Sequence, residues 1–332
     1  MKVFVAGGAG YIGSVVTAQL LQAGHEVTVY DSLVKGYRAA VPEGAHLIRG
    51  DILDRAALDL ALDAQPYDAM MHFAAFIEAG ESMEQPGRFF RNNVMGSMTL
   101  IEAAVMHDVP RFVFSSTAGV YDGKKDAPLT EDDPIGPASV YGQSKRMVEQ
   151  VLHWYHEVHG LRYAALRYFN AAGATPPVRG EAHEPETHLI PLVLQVPLGQ
   201  REQIYIFGDD YPTPDGTCIR DYIHILDLAS AHILALEALA ERPTMICNLG
   251  NGAGYSVKEV IEVAREVTGH PIPAEVAPRR PGDAAILVAD AARAREWLGW
   301  APQMPALRDI IASAWEWHRT HPDGYGRVSL VA

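Results

Sequence analysis

The chain of 332 residues has little cysteine, little positive charge and no long apolar run. Its two cysteines, Cys218 and Cys247, lie far from any partner at metal spacing and are too few for a disulfide scaffold. They read as small buried residues of a protein in a reducing cytoplasm. Lys and Arg number 27 against 41 Asp and Glu, which leaves a formal net charge of −14. Without a basic block, such a chain is a poor nucleic-acid binder, although a local convergence of cations can still hold a small anion. No apolar stretch is long enough to span a bilayer, and strand-like residues follow Met1 directly, so neither a signal peptide nor a membrane partner is expected. Internal repeats and low-complexity segments are missing too. What is present is a hydrophobic fraction of 48%, ample for a buried core. The length suits a dinucleotide-binding domain with a smaller second lobe.

The first half alternates between two periodicities. Val3–Ala6, Glu26–Tyr30, His46–Ile48, Ala69–His72, Arg111–Ser115 and Arg162–Arg167 read as short buried strands. Tyr11–Ala23, Arg55–Asp63, Gly87–His107 and Ala138–His159 read as helices between them. Alternation of this kind predicts an α/β fold, a Rossmann doubly wound parallel sheet. The second half is more irregular, with many Pro and Gly over 171–222, a strand at Gln203–Phe207, a helix at Ile225–Ala240, a strand at Met245–Leu249, a helix at Val257–Thr268 and two helices near the C-terminus. It reads as a smaller mixed lobe. The expected division is residues 1–170 for the Rossmann domain, with a returning segment near 223–250, and 171–332 mainly for the second lobe.

Gly7-Gly8-Ala9-Gly10-Tyr11-Ile12-Gly13 follows the first strand and opens the first helix. Glycines there permit a tight turn and a close backbone approach to a pyrophosphate, which the helix N-terminus then receives. Asp31 ends the second strand, 21 residues after Gly10, where a carboxylate accepts from ribose hydroxyls and repels a 2′-phosphate. NAD is therefore expected rather than NADP, with Lys35 and Arg38 nearby as a weak contrary sign. Tyr141 and Lys145 are four apart on a helical stretch, hence on one face. An ammonium near a phenol lowers the phenol's pKa and suits it to act as a base. Ser115-Ser116-Thr117 ends a strand, the edge where this fold holds ligands, so a hydroxyl there can join the relay.

Several stretches resemble the extended short-chain dehydrogenase/reductase family. They are Gly7–Gly13, His72-Phe73-Ala74-Ala75, Gly80-Glu81-Ser82, Asn92-Asn93-Val94, Tyr141-Gly142-Gln143-Ser144-Lys145 and Arg167-Tyr168-Phe169-Asn170. Ile206–Thr217, Arg220-Asp221-Tyr222-Ile223-His224 and Arg279–Asp283 are similar to its nucleotide-sugar 4-epimerases. The likeness runs from Lys2 to about Trp317. It implies an NAD-dependent interconversion of UDP-galactose and UDP-glucose through a 4-keto sugar, with Tyr141, Lys145 and Thr117 as catalytic residues. It also implies a cofactor site of Gly7, Gly10, Tyr11, Ile12, Gly13, Asp31, Ser32, Asp51, Ile52, Phe73, Ala74, Asn92, Ser115, Tyr141, Lys145 and Tyr168. The UDP-sugar would meet Thr117, Asn170, His188, Leu189, Tyr205, Ile206, Phe207, Arg220, Tyr222, Arg280, Asp283 and Leu287.

Four positions depart from the family pattern. Ile77 stands where some members have a lysine, His188 where asparagine is common, and Thr117 where serine is frequent. Leu287 stands where the family sizes its sugar pocket, and a leucine smaller than the usual tyrosine implies tolerance of N-acetylhexosamines. Sugar-nucleotide dehydratases are disfavoured because Thr117-Ala118-Gly119 carries no carboxylate for elimination, and UDP-glucuronate decarboxylases because Gly119 is not a glutamate. UDP-pentose or uronate epimerisation stays open. A non-catalytic NAD sensor, which typically lacks the tyrosine, is disfavoured by Tyr141. No metal is expected: His153, His156 and His159 repeat every three residues, whereas a helical metal pair needs four. Phe89, Phe90, Val94, Met147, Val151 and Trp154 exceed what packing on a sheet requires, and a helix-bundle homodimer follows from the resemblance.

Overall fold

The computed structural model describes residues 1–125, 128–280 and 283–326. Within the Arg279–Asp283 stretch, Pro281 and Gly282 therefore lie outside the described residues. In chain order the first half runs β1 (Lys2–Ala6), α1 (Tyr11–Gln22), β2 (Glu26–Asp31), β3 (His46–Arg49), α2 (Arg55–Asp63), β4 (Ala69–His72), α3 (Ala79–Glu84), α4 (Pro86–Phe89), α5 (Gly96–Met106), β5 (Arg111–Ser115), α6 (Val140–His159) and β6 (Arg162–Tyr168). The second half runs β7 (Asn170–Ala172), α7 (Leu189–Leu194), β8 (Ile204–Phe207), β9 (Ile219–Arg220), β10 (Tyr222–His224), α8 (Ile225–Ala238), β11 (Thr244–Leu249), β12 (Tyr255–Ser256), α9 (Val257–Thr268), β13 (Ala274–Ala277), β14 (Ile286–Leu287), α10 (Ala292–Leu298) and α11 (Leu307–Thr320).

Seven strands form one sheet in the order β11-β6-β5-β4-β1-β2-β3, every neighbouring pair parallel. The order reverses between β1 and β4, which opens a crevice at the strands' C-terminal ends. The strands are apolar on both faces because helices cover both. Val3, Val5, Val29, Met71, Val113 and Leu166 pack under α1 and α8; Phe4, Tyr30, Met70, Phe112 and Phe114 pack under α2, α5 and α6. The doubly wound sheet is thus the one the alternating pattern predicts, and β11 returns to its edge from far down the chain. A third core joins α7, α9 and α11 with β8 and β10.

Local chemistry sets the helix ends that matter. The Ser139 hydroxyl accepts from Gly142 N at 3.1 Å and caps α6, while Gly160 closes it at a left-handed φ of +71°. By contrast α1 starts at Gly10 with no side-chain cap. Between α4 and α5 the helix widens into a π-type turn over Phe90–Met95. Asn93 sits in that turn and binds back to Phe76 through both amide atoms, at 2.9 Å each. A helical period gives no warning of such a turn, which inserts a residue locally and is frequent at functional sites.

Phe89 and Val94 are buried, so they belong to the fold's interior rather than to an outer face. Of the same group Trp154 is exposed, and α5, α6 and the π-type turn also leave Met95, Met98, Met106 and Val158 exposed. No helix among the described residues is long and apolar enough to cross a membrane.

Candidate active site

A cleft of about 340 Å³ opens along the C-terminal ends of β1, β2, β4, β5 and β6 and is closed from the far side by residues 181–188. All sixteen cofactor candidates line it, together with Thr117, Asn170 and His188. Residues spread over the first 190 positions therefore meet in one place.

The glycine turn is built by exclusion. Gly7 has φ +85°, and a Cβ there would sit 2.4 Å from Ala74 N; a Cβ on Gly13 would sit 2.2 Å from Gly7 O. Only glycine lets β1, β4 and α1 approach this closely. The uncapped N-terminus of α1 opens on the same cleft, with its first backbone N–H groups unmatched by a side chain. Asp31, buried at the end of β2, accepts from Ala9 N and Leu33 N, both at 2.9 Å. Burial raises its pKa, and these two bonds oppose the rise. The turn, the bare helix end and an acid at the second strand's end are the fit a dinucleotide needs.

At the other end, Tyr141 and Thr117 line the same part of the cleft, and the Thr117 hydroxyl acts to lower the phenol's pKa. Lys145 Nζ donates to Ser115 O at 2.8 Å and lies 6.0 Å from the Tyr141 ring centroid. Tyr168 and Ser115 join hydroxyl to hydroxyl beside them. The sequence-based expectation of a depressed phenol is not met here. Burial dominates and pushes Tyr141 up to about 12; the Thr117 hydroxyl opposes this and the charge of Glu78 adds to it. Burial also brings Lys145 down to about 7, so its positive charge is too costly to counter the trend.

Beneath this layer lies a buried scaffold. Glu149 accepts from Ser116 Oγ at 2.6 Å and from Arg167 at 2.9 and 2.7 Å. Arg167 then donates to Tyr121 Oη at 3.0 Å, which in turn donates to Asn248 at 2.6 Å. This chain ties α6, β5, β6 and β11 together directly under the reacting groups and fixes their spacing.

The substrate candidates divide. Asn170 lines the cleft and donates twice to Asp221 O, at 3.0 and 2.9 Å, through its backbone and its amide. The next residue back, Arg220, pairs with Asp283. Leu287 lies opposite Arg220 in the β9–β14 pair and packs on the apolar cluster of Ala118 and Phe169. Arg280 covers the Phe207 ring, 4.1 Å from its centroid, and Tyr205 is exposed on the same strand. These residues stand outside the cleft's lining. Ile206 and Tyr222 face the third core, so only their backbones can meet a ligand; Leu189 packs against that core as well. Asp221 is fully buried and accepts from Asn251, Gly252 and Ala289 N–H groups at 2.8, 2.9 and 3.0 Å, which explains an acid beside Arg220.

Not anticipated from the sequence are Glu78, Glu181 and His183, which also line the cleft. Lys35 lines it too and pairs with Glu78 at 2.7 Å, next to Ile77, where a cation had been missed. Glu181, His183, Glu186 and His188 form one cluster. Burial would lower both imidazoles, but the two carboxylates outweigh it and hold His183 up to about 9 and His188 up to about 10. The spacing Glu-x-His-x-x-Glu-x-His was the available signal. His153 and His159 are exposed, and half-buried His156 meets Leu161 O at 3.0 Å.

A family model described as NAD dependent epimerase/dehydratase family matches residues 3–250. The chain belongs to this family. Its members similar to this chain include the UDP-glucose 4-epimerase of Halalkalibacterium halodurans, 52% identical over 98% of both proteins. A crystal structure of a UDP-glucose 4-epimerase, 49% identical, superposes with a TM-score of 0.96 over 98% of this chain and 100% of that one. The UDP-glucose 4-epimerase from Bifidobacterium longum, crystallised in complex with NAD+ and UDP, is 35% identical with a TM-score of 0.93, covering 98% of this chain and 100% of the other. Full-length likeness of this kind places both halves of the chain, not the Rossmann sheet alone, within the family.

Proposed function

We propose that this protein is an NAD-dependent enzyme that interconverts UDP-galactose and UDP-glucose through a 4-keto sugar. The observation that carries this is the convergence of Tyr141, Thr117 and Lys145 with the glycine turn and Asp31 in one cleft, in a chain alike over its length to UDP-glucose 4-epimerases. The glycine turn and the N-terminus of α1 would hold the NAD pyrophosphate, Asp31 its adenine ribose, and Asp51 and Ile52 its adenine. When bound, NAD supplies a hydride acceptor that later returns the hydride, together with a positive charge at the nicotinamide.

Tyr141 removes the proton of the sugar 4-hydroxyl, with the Thr117 hydroxyl in the relay. A phenol at about 12 needs on the order of 7 kcal/mol of added electrostatic stabilisation to act as a base at neutral pH, about 1.4 kcal/mol per unit. Lys145 contributes once a ribose hydroxyl shares its ammonium, since a hydrogen-bonded charge is cheaper to bury. Arg220 and Arg280 hold the diphosphate, Asp283 the uridine ribose, and Asn170, His188, Leu189 and β8 the rest of UDP. Anchoring UDP while leaving the hexose loosely held lets the keto sugar turn before it is reduced on its other face.

Tyr141→Phe tests the assignment. Turnover of UDP-galactose should fall by roughly 10²–10⁴-fold, while NAD and UDP binding persist. Near-wild-type turnover would remove Tyr141 from its role.

Three finer readings accompany this one. Residues 1–170 with 223–250 serve NAD and the remainder serves UDP-sugar, a division that the return of β11 to the main sheet favours. Leu287, smaller than tyrosine, admits N-acetylated hexosamines. The exposed Met95, Met98, Met106, Trp154 and Val158 form a homodimer face in a cytoplasmic enzyme. Light scattering at twice the chain mass would agree with the last of these, and a monomer would contradict it.

A further inference from the structure

We propose that Glu181, His183, Glu186 and His188 form a four-coordinate site for a divalent transition-metal ion of the zinc class, set in the wall of the cleft. It does not rest on the reaction proposed above. All four residues come from the segment between β7 and α7, and one ligand atom of each falls within 4.8 Å of all the others. His188 Nδ1 lies 2.8 Å from Glu181 Oε1 and 3.1 Å from Glu186 Oε1. His183 Nδ1 lies 3.3 Å from Glu181 Oε1 and 3.5 Å from Glu186 Oε2. In a tetrahedron with metal–ligand bonds of about 2.0–2.1 Å, neighbouring ligand atoms are roughly 3.3–3.4 Å apart. The three edges that run through Glu181 Oε1 and Glu186 Oε1 are 2.8, 3.1 and 3.3 Å, close to that length, while His183 meets Glu186 through the other carboxylate oxygen. Two imidazoles and two carboxylates suit zinc and its neighbours, whereas calcium and magnesium take oxygen alone.

His183 Nδ1 decides between a metal and a plain ion-pair cluster. It is buried between two carboxylate oxygens, yet it is aligned for a hydrogen bond with neither. Once deprotonated, a ring nitrogen so placed offers its lone pair to a cation held among the oxygens. Charge balance allows an ion there. Glu181 is only 4% exposed, and among the described residues no lysine or arginine pairs with it or with Glu186. Two carboxylates brought together inside a protein require positive charge beside them. The two protonated imidazoles supply it in the metal-free protein; a divalent ion takes their place, and its binding releases their Nδ1 protons and the ion's own waters to solvent, with no electron transferred.

Four protein ligands close the coordination shell, so the ion would fasten this segment over the cleft rather than activate a substrate. His188 would keep its Nε2–H as a donor, with its ring orientation fixed.

The test uses the untagged full-length chain, stripped with a chelator and titrated with cobalt(II). We expect the intense visible absorption of four-coordinate cobalt, saturating at one equivalent, abolished by zinc(II), with a zinc-dependent rise in Tm. His183→Gln and Glu181→Gln should each weaken zinc binding by about 10–100-fold or more. A weak six-coordinate cobalt spectrum that does not saturate would overturn the proposal, and so would saturation left unchanged by both variants. Should either variant fail to fold, the wild-type cobalt spectrum decides alone.

Discussion

The two walls of the cleft are made differently. The cofactor wall is the rim of one sheet: β1, β2, β4, β5 and β6 end side by side, and each contributes residues within a few positions of its last hydrogen bond. The opposite wall is gathered from β7 and the 181–188 segment, and beyond the lining Arg280 and Asp283 meet β8 and β9 only through tertiary packing. A rim fixed by backbone register needs few special side chains, and those are glycines and short polar residues. A gathered wall depends on individual contacts such as Arg220–Asp283 and Asn170–Asp221, each of which can be varied separately.

Substitutions should therefore fall into two classes. Gly13→Ala, on the sheet rim, drives a Cβ into Gly7 O and should remove NAD from the purified protein almost entirely; the overpacking also costs about 1–3 kcal/mol of stability. Absorbance and mass spectrometry of the released cofactor check this, and full NAD content would break the contrast. Arg220→Ala, on the gathered wall, should leave NAD content intact and raise KM for the UDP-sugar by roughly 10–100-fold with a smaller change in kcat, as loss of a charged contact does. A drop in kcat alone would mean that Arg220 acts on the reacting carbon. Leu287→Tyr should change selectivity, cutting turnover of UDP-N-acetylgalactosamine about tenfold relative to UDP-galactose. Equal effects on the two sugars would take Leu287 out of the pocket.

The last comparison concerns Lys145, and stability rather than activity. Its folded pKa of about 7 lies below its ordinary 10.5, so between those values the unfolded chain binds more protons than the folded one. Stability, measured against Lys145→Met in cofactor-stripped protein, should then rise with pH from about 7 to 10, by at most about 1.4 kcal/mol per unit. Urea midpoints at pH 7 and 9 measure it, and a difference that stays flat with pH contradicts the buried ammonium.

The contrast also explains what was legible beforehand. Strand and helix limits in the first half follow the alternation of periodicities closely, because β1, β2, β4, β5 and β6 are buried on both faces and the pattern there has one solution. The sixteen candidate cofactor residues converge for the same reason. Three things were not legible. The π-type turn at Phe90–Met95 departs from the helical repeat that would announce it. Phe89 and Val94 looked surplus to sheet packing but are buried in the fold. The charge state of Tyr141 was read from Lys145 four residues on, but depth in the cleft outweighs that neighbour. On the gathered wall the likeness to nucleotide-sugar epimerases supplied residues, and only the fold separates Arg220 and Phe207 from Ile206 and Tyr222, whose side chains turn inward.

The central claim is that a hydride leaves the sugar's C4 and comes back to the same carbon without exchanging with water. UDP-galactose carrying deuterium at C4, incubated with the purified chain in ordinary water and no added NAD, tests it most directly. The account predicts UDP-glucose that retains nearly all the deuterium at C4. Product with its label washed out to solvent, or no product from protein that carries its NAD, would contradict it.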